Sequence, residues 1–279
     1  MFPGREALAV LLPMATAVVA LWMAACGGSS GGGDDFWDAD GASDADADAD
    51  TDSDGDTDTS TWSGPAAFAD EVVDAPGATG EGSGDANNAV NGVRGGGQFA
   101  GGTDVFSLGC EVGVDNTIVL GWSGTRFWDG PGADLAVFEN AFEYQGANFM
   151  DQVIVEVSAD GESWVALPHD YVHADETVYS TDPLMWPGFA GVTPVLLHEE
   201  DNPVDPFDPA LAGGDHFDLA DLPAEDPVTQ QIMASGGLHV RLVTAPSRTN
   251  PDTGEPYLRD AISNGADIDG VYARYLTED

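Results

Sequence analysis

Lysine is absent from this chain, and all 7 basic residues are arginine. Schiff-base chemistry, a pyridoxal-phosphate linkage and a Walker-type phosphate loop all need a lysine ammonium, so each is excluded. Positive charge is scarce altogether: 7 Lys+Arg stand against 50 Asp+Glu, for a formal net charge of -43. Nucleic acid and anionic lipid are held by basic surfaces, so this charge balance excludes both and makes cations the natural partners. The only cysteines are Cys26 and Cys110. With Cys26 modified, as argued below, Cys110 has no partner and no internal disulfide forms. Within residues 65–279 neither a GxSxG elbow nor an HExxH pair occurs; Gly121-Trp122-Ser123-Gly124-Thr125 lacks the second glycine of the elbow. No residue is assigned a catalytic role.

What is present begins with an apolar run over residues 7–25 that follows Arg5 and ends in Met23-Ala24-Ala25-Cys26. This resembles a bacterial lipoprotein signal peptide. The resemblance implies that residues 1–25 are removed, that Cys26 becomes the lipidated first residue, and that a membrane is a partner through that anchor. Residues 26–64 then form an acidic tether of Gly, Ser, Ala, Thr and Asp. Such a composition cannot bury enough apolar surface to offset the entropy of ordering, so disorder is expected over a reach of about 35 Å.

Residues 65–279 read as one all-β domain. Leu135, Ala136, Val137 and Phe138 are apolar on both alternating faces, as an interior strand requires, and Glu139-Asn140 closes the run. Val153, Val155 and Val157 alternate with Ile154 and Glu156, and Asp160-Gly161 supplies the turn before Trp164, Val165 and Leu167. Further strands are expected at 105–108, 117–122, 238–244 and 268–276, with a short one at 89–93. Residues 169–222 are dense in proline, which rules out a long helix and leaves an ordered decoration or a binding surface. The expected fold is a jelly-roll-like antiparallel β-sandwich with long Gly/Pro-rich loops. A turn or two of helix is expected only at 226–235.

In order along the chain, NNAVNGVRGGG (87–97), DGPGADLAVFENAF (129–142), VEVSADGESW (155–164), AGGDHFDLAD (212–221) and GADIDGV (265–271) resemble a family of bacterial cell-surface proteins. The VSxDGxxW element is also similar to the discoidin or galactose-binding-like sandwich, which implies a jelly roll. The likeness places the domain at the bacterial cell envelope, outside the cytoplasm. It implies no particular chemistry.

Two sets of side chains are candidate sites. Glu139, Asn140, Asp218 and Asp269, with Asp134 and Asp221 in reserve, are carboxylates and an amide at strand ends in a chain with too few arginines to pair them. Hard oxygen donors of this kind suit Ca²⁺, which would offset the self-repulsion of the domain. Trp128, Tyr144 and Trp186 lie in or beside loops, where rings can stack on sugar faces. The sequence therefore predicts a calcium-stabilised binding module for a surface glycan or a neighbouring envelope protein. The alternatives are a surface glycan hydrolase and a purely structural envelope protein.

Overall fold

A computed structural model of the chain describes residues 66–76, 84–112 and 114–278. The signal peptide, Cys26 and the tether lie outside the described residues. Fourteen strands follow in chain order: β1 (Ala67–Phe68), β2 (Glu71–Asp74), β3 (Phe106–Ser107), β4 (Thr117–Gly121), β5 (Thr125–Phe127), β6 (Leu135–Glu139), β7 (Phe142–Tyr144), β8 (Ala147–Phe149), β9 (Val153–Ser158), β10 (Val165–Ala166), β11 (Asp215–Phe217), β12 (His239–Thr244), β13 (Asp267–Ala273) and β14 (Leu276–Glu278). Two short α-helices interrupt them, α1 (Pro209–Ala212) and α2 (Pro227–Ser235). The second is the expected one: Asp226 caps Val228 N, proline opens it, and Gly236 at φ 77° closes it.

All strand pairings are antiparallel. One sheet has the order β1-β13-β6-β11 with β3 also on β13; the other runs β10-β9-β12-β4-β2. The chain passes from sheet to sheet at almost every connection: β3, β6, β11 and β13 lie in the first, β4, β9, β10 and β12 in the second. That alternation makes the domain a jelly roll, with β1 and β2 as additions to its edges. The inner faces meet in one core, to which Leu135, Val137, Ile268 and Val271 contribute from the first sheet and Val153, Val155, Val240 and Leu242 from the second.

Each outer face is also covered. Trp186, Phe189 and Val192 pack on Ile154 and Val243 of the second sheet. Val195, Leu197, Phe207 and Ala212 pack on Ala136, Phe138 and Tyr272 of the first. The Pro-rich stretch is thus a strap over both sheets, which is why the central strands are apolar on both sides. Trp186, expected to offer a ring to sugar, is fully buried. It stacks on Tyr171 at 4.0 Å and donates its indole N–H to Ser180 O. An apolar ring beside prolines is drawn into the covering layer, not left in solvent. The short strand expected at 89–93 does not form; residues 86–90 make a 3-10 turn capped by Asp85 instead.

Candidate ligand cleft

β6 ends at the rim of the sandwich, and β9 begins beside it. Glu139, the last residue of β6, therefore lies close to Asp151, whose charge acts on it. The segment leading into β13 brings Asp260, Ser263, Asn264 and Asp267 to the same rim. Together with the β7–β8 hairpin they enclose a cleft of about 220 Å³. One wall is apolar: Phe142 and Phe149 stack in parallel at 5.1 Å, with Met150 and Ile262 nearby. Tyr144 is 53% exposed and meets Phe149 edge-on at 6.1 Å.

Glu139 dominates the opposite wall. It is only 3% exposed, its Oε1 accepts the Asp267 N–H at 2.9 Å, and its Oε2 has no hydrogen-bond partner in the protein. Gly191 makes room behind it: a Cβ there would lie 2.2 Å from Asp151 O and 3.2 Å from Glu139 Oε2. Burial, and after it the charge of Asp151, pushes the Glu139 carboxyl well above the usual range. Burial also raises Asp151 to about 7, although the Ser263 hydroxyl donates to it. Asp215, held by the Gly191 and Val192 N–H groups at 2.8 and 3.1 Å, is raised to about 6 by burial. A buried carboxylate with one oxygen unmatched is costly, so Glu139 calls for a proton, a cation or a donor from a ligand.

The expected calcium set does not assemble as one site. Asp134 and Glu139 stand at opposite ends of β6, roughly 17 Å apart for an extended strand of that length. The Asn140 amide is tied to the Gly102 backbone, accepting from Gly102 N and donating to Gly102 O. Asp269 is the extra residue of a β-bulge in β13, which turns it toward the Arg94 N–H at 2.9 Å. Its other oxygen has no partner in the protein, and burial raises it to about 7. Asp221 is exposed in the turn after Asp218 and joins no cluster.

Among the described residues, the set that could hold a metal ion is Asp129, Asp134 and Asp218, whose ligand oxygens lie within 4.8 Å of one another. Asp134 has no exposure and accepts from Gly130 N and Leu219 N, while Asp218 caps Ala220 N. Each oxygen keeps a lone pair for a cation. Asp129 was missing from the expected set because it lies in the Asp-Gly-Pro-Gly turn, five residues before Asp134, and only the fold brings the two together. Trp128 precedes that triad and is half-buried, donating its indole N–H to Thr277 Oγ1. Of the three expected ligand-stacking rings, Tyr144 alone adjoins the cleft.

Asp151, Asp260 and Phe142 were not foreseen as site residues. The signal for Asp151 was its place as the acid just before the apolar run of β9, mirroring Glu139 at the end of β6. No family model, curated protein or solved structure matches the chain.

Proposed function

We propose that this chain is a lipid-anchored protein of the bacterial cell surface whose β-sandwich binds carbohydrate without chemistry, with the Glu139 cleft as its ligand site. The observation that carries this reading is the pairing, in one cleft, of buried carboxyl acceptors with a stacked pair of aromatic rings. Carbohydrate recognition uses that combination, hydroxyls going to the acids and amides and the sugar face to the rings. The ordered likeness to bacterial cell-surface proteins supports the location. Calcium at Asp129, Asp134 and Asp218 would stabilise the start of β6, remote from the ligand.

On a glycan array the wild-type domain should bind selectively. Phe149→Ala should weaken that binding about tenfold, with unchanged secondary structure by circular dichroism. A blank array would favour a purely structural envelope protein. A glycan hydrolase is the second reading, favoured by the two raised carboxyls Glu139 and Asp151 in one cleft, since a retained proton is what a general acid needs. Turnover of a bound glycan, abolished by Asp151→Asn, would establish it in place of simple binding.

The anchor rests on Cys26 following Ala24-Ala25 and preceding a run of Gly and Ser. In a bacterial host, metabolic labelling with a palmitate analogue should mark the wild type and not Cys26→Ser. Equal labelling of the two would remove Cys26 as the lipid site.

A further inference from the structure

Resting on the carbohydrate reading above, we propose that the Glu139 cleft selects a sugar bearing a free ammonium group, an amino sugar, over its neutral N-acetylated counterpart. Three observations lead there. The first is the unmatched Glu139 Oε2, on a side chain 3% exposed that lines the cleft. A neutral hydroxyl donor would satisfy it partly, but an ammonium donates to it and cancels its charge, and charge-assisted hydrogen bonds are roughly twice as strong as neutral ones.

The second is the excess of acid around it. Asp151, Asp260 and Asp267 line the same cleft, and no arginine does. Arg259, whose charge reaches Asp151, directs its guanidinium to Cys110 Sγ at 2.8 Å and Ser263 O at 3.0 Å. Burial lifts both Glu139 and Asp151 above the ordinary carboxyl range, a penalty that a bound cation relieves.

The third is the spacing and the apolar wall. Among the described residues three acids gather within 4.8 Å only at Asp129, Asp134 and Asp218. The acids of the cleft are therefore spread too widely for three of them to share a bare ion in this arrangement, whereas a ligand several atoms long reaches them with separate groups. The parallel rings of Phe142 and Phe149 offer a face for a sugar ring or for the cation itself. A volume of about 220 Å³ is below that of pockets for drug-sized ligands and suits a single ring at the end of a chain.

The test is calorimetric titration of the purified full chain, in 150 mM NaCl, with glucosamine oligomers and with N-acetylglucosamine oligomers of the same length. Glucosamine oligomers should bind about tenfold more tightly or better. Glu139→Gln should erase the preference while leaving N-acetylated binding in place, and Phe149→Ala should weaken both. Asp260→Asn, at the half-buried rim, is a second acid variant should Glu139→Gln fail to fold, and it should reduce the preference several-fold.

Equal affinity of the wild type for both oligomers would overturn the ammonium selection and leave carbohydrate binding standing. A preference that survives in both acid variants would trace to the overall negative charge of the protein and would also overturn it. Binding of neither oligomer, with selective binding of other neutral glycans on the array, would overturn the selection alone. Binding of no glycan at all would overturn both readings. Displacement of a bound glucosamine oligomer by millimolar CaCl₂ and not by matched NaCl would make the cleft a metal site instead.

Discussion

The stability of the domain should fall as the pH is raised from 5 to 8, the reverse of ordinary acid denaturation. Burial raises Asp134, Asp151 and Asp269 to about 7 and Asp215 to about 6, and pushes Glu139 well above its normal value. A carboxyl with a raised folded pKa holds its proton more tightly in the native state. Its contribution is therefore complete below the unfolded value, near 4, and is lost as pH climbs through 6 to 7. One fully realised shift of this size corresponds to about 4 kcal/mol. Neighbouring sites do not add freely, so a total loss on the order of 4 kcal/mol between pH 5 and pH 8 is expected in EDTA, or about 10 °C in Tm for a domain of this size.

Below about pH 4 the trend should turn over. There Asp85, Asp160 and Asp175, held low by hydrogen bonds within their own turns, take up protons. At pH 8, millimolar CaCl₂ should restore several degrees that matched NaCl does not, and Asp218→Asn should lose that recovery. Thermal melts of a Cys26→Ser chain across this series are the measurement. A Tm that is flat from pH 5 to 8 would show that the buried carboxyls ionise without cost.

Trp186→Ala should be the most damaging single substitution of an aromatic residue in the protein, at about 3–5 kcal/mol. Its ring is fully buried, stacked on Tyr171 and set edge-on to Phe189 at 5.6 Å, and truncation leaves a cavity between the strap and the second sheet. The Ser180 carbonyl would also lose its indole donor. Tyr144→Ala, on an exposed tip, should cost less than about 1 kcal/mol. Urea unfolding of the two variants beside the wild type separates them. A Trp186→Ala chain as stable as Tyr144→Ala, with an altered glycan profile, would return Trp186 to the ligand surface.

The strands were legible where the residues permit one reading. In 135–138 both faces are apolar, and in 153–157 the valines take one face, so β6 and β9 announce themselves as central strands. Less legible was what covers them. Proline density shows that 169–222 has no long helix, but not that Trp186 and Phe189 settle on one sheet while Val195 and Phe207 settle on the other. Acids are so abundant that strand-end position alone could not group them. Grouping depends on which end of β6 each occupies and on a bulge that turns Asp269 away from Glu139. The pairing of the cleft rings was hidden for a related reason: Phe142 and Phe149 face each other only because the residues between them form a hairpin.

Strand β13 pairs with β1, β3 and β6 at once, and it follows all three in the chain. The first sheet has no centre until residues 267–273 arrive, so β6 and its Glu139 wait on contacts more than a hundred residues away in sequence. Such topologies close slowly, because long loops must be ordered before any pairing rewards them. Were the chain exported N-terminus first, as the proposed anchor requires, this sheet could not close until residues 267–273 had crossed the membrane, and the cleft would be among its last features to take shape.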